Sequence, residues 1–389
     1  MSRSLFFVIG AVFLLVTGTF ISGTILTPYA QEIGATWFQI GILSGSMYGV
    51  RLFVGTPVGR LADKRGVLTV LKYSLMLYPI IAIAYWFSIN IYSLIFARLL
   101  HGLASAMMLP MGMAYMGQAA PKSEEGRYVA IYNACVLLAS GIGPFISTII
   151  AGFFHYRATF VTLFVLATIA LLILLFFENE QKDESGQYDK DGVVKNQNVR
   201  SIQLLRNPEL MALSMANIAL SIISSLIGFF LIPFLKGKGI DLVLTGSIIA
   251  IYNVLSGIFQ IPFGKLIDRY DKFIITWLSG IVTALALLIF PLTQSIGIIV
   301  AAMFILSLGS AALLSGTSAL SVIVGRKTGM GVTMGFLSTA NSIGMIFGCI
   351  SLSLLPATGR SYDAFFIFSC IALIICTILF TIFWSIKKR

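Results

Sequence analysis

The stretch PVGRLADK at residues 57–64 has a near copy, PFGKLIDR, at residues 262–269. Both fit the pattern P-x-G-[RK]-L-x-D-[KR], and each closes a long apolar run at the corresponding point of its half of the chain. Recurrence of one pattern at equivalent positions is typical of internal structural repeats. The sequence therefore predicts two similar halves with the same orientation, the architecture of parallel-repeat proteins.

The composition indicates that this chain lies in a lipid bilayer. Of its 389 residues, 58% are hydrophobic and 11% are charged, whereas a soluble domain carries roughly 25% charged residues. The net charge of +11 could suggest a nucleic-acid partner. The charges lie in short segments between apolar runs, however, so a membrane topology signal explains them better. We expect the lipid bilayer as a partner and no nucleic acid.

Twelve apolar runs are long enough to cross a bilayer, which takes roughly 20 residues per helix. A polar stretch at 178–207 separates the sixth run from the seventh. We therefore predict an all-α membrane protein of twelve transmembrane helices, with six-helix bundles at 1–177 and 208–389 joined by a flexible linker. The predicted spans are 5–27, 36–60, 68–88, 91–117, 127–154, 158–177, 209–235, 242–265, 273–292, 295–324, 329–355 and 362–386.

The basic residues predict the orientation of the chain, because cytoplasmic loops are enriched in Lys and Arg. Most of the 26 basic residues fall on the side that carries both termini and the central linker. We therefore expect a multi-pass protein of the cell membrane with both termini in the cytoplasm. The first apolar run lacks a small-residue cleavage site, so we interpret it as the first helix rather than a signal peptide. The opposite side carries Arg157, Lys236, Lys238 and Arg360.

Residues 59–66 resemble the signature loop of the major facilitator superfamily, whose form is G-x-x-x-D-[RK]-x-G-R-R. Val67 and Leu68 replace the final arginines, so part of the usual charge network is missing. The resemblance implies the major facilitator fold and a loop that locks the two halves together on the cytoplasmic side. A carboxylate next to a helix terminus also suits a weak, breakable contact on physical grounds. The predicted gate comprises Gly59, Asp63, Lys64, Arg65 and Gly66, together with Asp268 and Arg269 of the repeat.

The fourth predicted helix contains Arg98 and His101, in a stretch similar to the superfamily motif that is implied in proton coupling. His101 stands where the family usually has Gln. A charge inside a span costs at least ~2.5 kcal/mol, so Arg98, early in its span, and mid-span Arg51 suggest a substrate or proton pathway. His101 lies one turn from Arg98 and could relay protons. Two alternatives stay open: Arg98 reaches the outer interface, or His101 only packs between helices.

The fifth predicted helix contains Gly141, Gly143 and Pro144, which resemble the glycine-proline motif of the superfamily's exporters. Ser147 and Thr148 replace the final glycines of that motif. Residues 27–35 are also similar to the drug-exporter branch. These resemblances imply export, although Gly and Pro within a span also serve helix packing alone.

No Asp or Glu lies in the middle of a predicted span, and the basic side chains there favour anionic, zwitterionic or neutral substrates. We expect a monomeric exporter of small organic molecules, drug-like compounds or anionic metabolites, working by alternating access against protons. Two alternatives are an exporter dedicated to a carboxylate-rich metallophore or siderophore, and an importer of an anionic nutrient. We find no catalytic motif and expect no enzyme activity, cofactor or metal site. The four cysteines lie in apolar runs without C-x-x-C spacing.

Overall fold

The computed structural model describes residues 3–184, 201–240, 242–358 and 362–386, and no β-strand occurs among them. An α-helix coincides with each of the twelve predicted spans. The predicted all-α membrane fold is confirmed. The long helices are α1 (Arg3–Glu32), α2 (Trp37–Arg65), α3 (Val67–Trp86), α4 (Ile91–Ala119), α5 (Glu125–Phe153), α6 (Ala158–Glu184), α8 (Pro208–Ser225), α10 (Leu242–Arg269), α11 (Lys272–Leu292), α12 (Ile296–Thr328), α13 (Met330–Thr358) and α14 (Tyr362–Ile386), and the short ones are α7 (Ser201–Arg206) and α9 (Leu231–Gly237).

Within the described part of the chain, 11 helices are long and apolar enough to cross a membrane. Helix α2 is not among these 11, although it has 29 residues. It carries Arg51 in its middle and Arg60 near its end, together with several glycines and serines. Helix α2 is therefore the most polar of the twelve predicted spans.

The predicted linker at 178–207 is partly helical where the structure describes it. Helix α6 continues to Glu184, and α7 occupies Ser201–Arg206. Residues 185–200 lie outside the described residues. The extension of α6 follows from its sequence ENEQKDE, because Glu, Gln and Lys are good helix formers once the apolar run has ended.

The seventh span departs from a regular α-helix. A π-helical segment, Leu226–Phe230, separates α8 from α9, and the amide of Leu231 donates to the carbonyl of Leu226. Such single-turn π segments are rare and occur often at functional sites. The sequence predicted one uninterrupted α-helix here, since a π turn leaves no periodicity signal beyond one glycine, Gly228.

Single glycines join two pairs of long helices. Gly66 separates α2 from α3 with φ +92°, and Gly329 separates α12 from α13 with φ +104°. A side chain disfavours this backbone conformation, so glycine allows one helix to end and the next to begin within one residue. These two turns place the end of α2 and the beginning of α13 in fixed positions.

The described residues divide into two compact units. The first lies within Met1–Ala119, Leu138–Gln197 and Gly325–Gly335, and the second within Ala120–Leu137, Asn198–Val324 and Phe336–Arg389. In the first unit α1 packs against α6, and α4 packs against α2 and α3; in the second, α14 packs against α8 and α11. The beginning of α5 thus clusters with the second unit and the beginning of α13 with the first. The domain boundaries inferred from the sequence stay a prediction.

Candidate functional site

The carboxylate of Asp63 binds the N-terminus of α13. Its Oδ1 accepts from the amide of Gly331 at 2.6 Å, and its Oδ2 accepts from the amide of Val332 at 2.8 Å. These amides belong to the first turn of the helix, where backbone N–H groups have no partner within the helix. Asp63 therefore acts as a cap supplied from a distant part of the chain, and its negative charge meets the positive end of the helix dipole.

Glycines allow the two backbones to approach at this contact. A Cβ atom on Gly331 would lie 2.5 Å from the carbonyl oxygen of Gly59, and one on Gly335 would lie 3.0 Å from the Cα of Gly59. A Cβ on Gly329 would lie 2.6 Å from Oδ2 of Asp63. Real Cβ contacts are not this short, so a larger residue at these positions would force α2 and α13 apart.

Asp268, at the repeated motif, makes the equivalent contact in the second unit. Its Oδ1 accepts from the amide of Gly126 at 2.8 Å, and its Oδ2 accepts from the amide of Arg127 at 2.9 Å. Lys272 lies 3.9 Å from the same carboxylate. A Cβ on Gly264 would lie 2.8 Å from the carbonyl oxygen of Gly126. Glycine again permits the close approach, here between α10 and α5.

The remaining residues of the predicted gate have different surroundings. Lys64, Arg65 and Arg269 are exposed to solvent, while Gly66 provides the turn between α2 and α3. The contacts of the aspartates are thus made to backbone amides rather than to these basic side chains. Asp63 lies beyond the predicted span 36–60. Burial raises the pKa of its carboxyl above the ordinary value, and the two backbone donors counter part of that rise.

A second group of polar side chains surrounds His101 on α4. Tyr85 of α3 lies with its hydroxyl 3.0 Å from Nδ1 of His101, and NH1 of Arg98 lies 3.5 Å from the same nitrogen. Only 3% of His101 is exposed. The structure thus brings Arg98 and His101 together, one turn apart, as their spacing predicted.

The surroundings of Nδ1 indicate the protonation state of the ring. A guanidinium can only donate hydrogen bonds, so Nδ1 must accept when Arg98 points at it. In that arrangement the ring hydrogen resides on Nε2. A proton added to Nδ1 would face the Arg98 guanidinium and disfavour that contact, whereas the Tyr85 hydroxyl can accept from the new N–H.

Arg51 and Tyr78 complete this group, which we call the His101 cluster (Arg51, Tyr78, Tyr85, Arg98 and His101). The ring of Tyr78 meets that of His101 edge to face, with centroids 5.4 Å apart. Arg51 is 7% exposed, and its guanidinium lies 5.9 Å from the centroid of the Tyr48 ring. Both arginines lie close enough to His101 to act on it electrostatically. The role of Arg51, Arg98 and His101 in a substrate or proton pathway stays a prediction.

Close packing between α2 and α4 supports the His101 cluster. A Cβ on Gly102, the residue after His101, would lie 2.7 Å from the carbonyl oxygen of Met47. This glycine therefore lets the helix that carries His101 lie directly against the helix that carries Arg51. Substitution at Gly102 would separate the two helices.

The glycine-proline segment of α5 packs against α1. A Cβ on Gly143 would lie 2.5 Å from the Cβ of Phe20, and the hydroxyl of Ser147 donates to the carbonyl of Ile21 at 2.6 Å. Gly141 is buried, and Pro144 lies inside the helix. The contacts of this segment are those of close helix packing, and its role as an exporter motif stays a prediction.

The sequence did not identify Tyr78 and Tyr85 as members of the His101 cluster. Both lie in an apolar span, and no spacing relates α3 to α4 before the fold is known. The backbone donors of Gly331 and Val332 were also missed, since the amide of any residue could supply that contact. The glycines at the start of α13 are the one local signal for so close an approach.

Comparison with known proteins supports the same architecture. The sequence profile of the Major Facilitator Superfamily matches residues 8–349 and 213–389. An uncharacterized MFS-type transporter of Methanocaldococcus jannaschii is 27% identical over 85% of both chains. A homolog of the multi-drug resistance efflux pump PmrA from Lactococcus lactis is 22% identical over 83% of this chain and 80% of its own. The quinolone resistance protein NorA of Staphylococcus aureus is 23% identical over 38% of this chain and 39% of its own.

Among solved structures, the human organic anion transporter MFSD10 superposes with a TM-score of 0.76. The superposition covers 97% of this chain and 100% of the human one, at 12% sequence identity. At that identity the similarity concerns the fold alone. The superposition confirms the major facilitator fold that the sequence motifs predicted.

Proposed function

This chain belongs to the Major Facilitator Superfamily of membrane transporters, and we propose that it exports small organic molecules by alternating access in exchange for protons. The family and the fold are those of transporters rather than enzymes. The observation that carries the proposal is the His101 cluster, in which the Tyr85 hydroxyl and the Arg98 guanidinium both lie within hydrogen-bond distance of His101 Nδ1.

The two aspartate contacts supply the gate. Asp63 and Asp268 each hold the first turn of another helix through two hydrogen bonds to backbone amides. Such contacts are strong enough to favour one conformation, yet they break without loss of any buried ion pair. A transporter needs contacts of this kind, because each cycle must close and reopen access to one side of the membrane.

His101 supplies the proton step in this proposal. Protonation of its Nδ1 displaces the Arg98 guanidinium, and loss of that proton restores the contact. Arg98 keeps its own charge at working pH, so it responds to the proton without carrying it. The displaced guanidinium can then bind an anionic group of a substrate.

The basic residues of the His101 cluster favour organic anions, zwitterions or neutral drug-like compounds as substrates. Arg51 and Arg98 place two guanidinium groups around His101, and the described carboxylates lie at or near helix ends. The relatives include proteins named for multidrug and quinolone resistance, and quinolones carry a carboxylate. A carboxylate-rich metallophore would bind to the same guanidinium groups, so a dedicated exporter of such a compound is the alternative. We place the protein in the cell membrane as a monomer with both termini in the cytoplasm.

Accumulation of norfloxacin, a quinolone, tests the proposal. Cells that produce the protein should accumulate less norfloxacin than cells that produce the Arg98→Ala variant at the same membrane level. Collapse of the proton gradient with an uncoupler should abolish the difference. Profiling of metabolites in cells and medium, with and without the protein, extends the test to natural anions. Greater accumulation of an anion inside producing cells would instead identify an importer.

A further inference from the structure

A cavity of about 50 Å³ lies within the second unit. Helices α8, α10 and α12 and the middle of α5 form its wall. The volume exceeds the roughly 30 Å³ that one molecule occupies in liquid water. It accommodates one small functional group rather than a whole drug-sized molecule.

The polar side of the cavity is a stripe on α10. Tyr252, Ser256 and Gln260 are spaced four residues apart, so they lie on one face of the helix and all line the cavity. Ser310 of α12 and Ser224 of α8 add hydroxyl groups to the same wall, and Leu314 is one of the apolar side chains that complete it. All of the side chains that line the cavity are uncharged.

Most of these polar groups already have partners that hold them in place. Tyr252 donates to Ser310 at 2.9 Å, and the amide oxygen of Gln260 accepts from Ser315 at 2.6 Å. The amide nitrogen of Gln260 donates to the carbonyl of Ala311 at 3.3 Å. An amide nitrogen carries two hydrogens, so the second hydrogen of Gln260 can donate to a ligand.

Ser256 differs from its neighbours. It is 2% exposed and lies close to the Tyr252 hydroxyl, but its Oγ has no hydrogen-bond partner of normal geometry in the described part of the chain. A buried hydroxyl without a partner costs free energy, because it has lost its bonds to water. That cost is recovered when a ligand group accepts a hydrogen bond from the Ser256 hydroxyl.

We propose that this cavity is a substrate subsite for an uncharged carbonyl, amide or hydroxyl group attached to an apolar body. The hydroxyl of Ser256 and the second amide hydrogen of Gln260 donate to the oxygen of that group, while Leu314 and its apolar neighbours contact the body. A charged group is excluded here, since the wall offers it no counter-charge. This inference rests on the proposed transport function and specifies one part of the substrate.

The π-helical segment next to the cavity fits this assignment. Ile223 and Ser224 line the cavity just before Leu226, the first residue of the π segment. Irregular helical turns in transporters occur where the backbone lines a binding site. The departure of the seventh span from regular geometry is therefore located beside the subsite.

Thiol labelling tests the subsite independently of transport. In a variant with all four native cysteines replaced, Ser256→Cys is treated with the uncharged reagent hydroxyethyl methanethiosulfonate. Ser369→Cys is the matched control, because Ser369 is also buried with an Oγ that lacks a partner among the described residues, yet it does not line this cavity. We expect labelling at position 256 and none at 369. Chloramphenicol, an uncharged amide with hydroxyl groups, should slow the labelling, whereas tetraphenylphosphonium, a cation without hydrogen-bonding groups, should not.

Two results would overturn the inference: equal labelling at positions 256 and 369, or equal protection by both compounds. If Ser256→Cys fails to reach the membrane, Ser310→Cys takes its place, because Ser310 is also buried and lines the same cavity. Removal of the donor in Ser256→Ala should also weaken chloramphenicol binding by roughly three- to tenfold, as expected for one lost hydrogen bond. Because labelling requires neither export nor protons, protection without norfloxacin export would refute the proposed function and leave the subsite standing.

Discussion

Asp63 and Asp268 make the same contact at two places in the chain. Each carboxylate accepts hydrogen bonds from the amides of the second and third residues of a helix, α13 for Asp63 and α5 for Asp268. The repeated sequence motif is therefore matched by a repeated interaction. The hydrogen-bond lengths at Asp63 and Asp268 agree within a few tenths of an ångström, so the two contacts should respond alike to the same substitution.

Neutralising either carboxylate should impair transport without unfolding the protein. Asp63→Asn and Asp268→Asn replace one of two accepting oxygens by an amide nitrogen, which cannot accept a hydrogen bond. One hydrogen bond to the helix N-terminus is lost, at a cost of about 1–2 kcal/mol. We expect both variants to reach the membrane at normal levels and to lose most norfloxacin export. Efflux assays on cells with matched protein levels measure this.

Asp271→Asn is the control for these two variants. Asp271 caps its own helix by accepting from the amide of Phe273 at 2.8 Å, and Asn is as good a cap as Asp. This variant should export normally. Equal loss in all three variants, or full export by Asp63→Asn, would show that the aspartate contacts do not form a gate.

Adding one methyl group at the contact of α2 with α13 should prevent its closure. In Gly331→Ala the new Cβ would lie 2.5 Å from the carbonyl oxygen of Gly59, and overpacking of this kind costs about 1–3 kcal/mol. We expect a cysteine placed near this end of α2 to become more reactive towards thiol reagents. Gly10→Ala is the control, since nothing lies within 4 Å of its Cβ. Unchanged reactivity in Gly331→Ala would contradict the proposed closure.

The two tyrosines of the His101 cluster should differ in their contribution to stability. Tyr85→Phe removes the hydroxyl 3.0 Å from Nδ1 of His101 and should cost about 1 kcal/mol. Tyr78→Phe should be neutral or slightly stabilising, because the Tyr78 hydroxyl has no hydrogen-bond partner among the described residues. Thermal unfolding of purified variants in detergent compares them. A larger loss for Tyr78→Phe would mean that the assigned hydrogen bond is wrong.

Much of the fold could be predicted from the sequence, because each transmembrane helix corresponds to a long run of apolar residues. The pairing of Asp63 with Asp268 was also predictable, since both recur in one motif, and their role as a gate stays a prediction. The amides that bind these two carboxylates could not be predicted, because almost every residue has a backbone amide and the sequence does not show which of them is used. Ser256 was missed for a different reason: a serine in an apolar span usually bonds to its own helix, and only the folded structure shows that this one does not.

Labelling from each side of the membrane tests the proposed orientation. Lys64 and His155 are both exposed, one at the end of α2 and the other between α5 and α6. We expect a membrane-impermeant thiol reagent to reach His155→Cys in intact cells and Lys64→Cys only in inside-out vesicles. The reverse pattern would place the termini outside and assign the aspartate contacts to the opposite face.

Substrate-driven proton movement in proteoliposomes tests the central claim most directly. Norfloxacin added to vesicles that contain the protein should drive a pH change, measured at a series of starting pH values. His101→Gln should still bind norfloxacin but lose the pH dependence of the signal, and Arg98→Ala should lose the signal itself. If the His101→Gln profile overlays that of the parent protein, His101 is a structural residue and does not couple protons to transport.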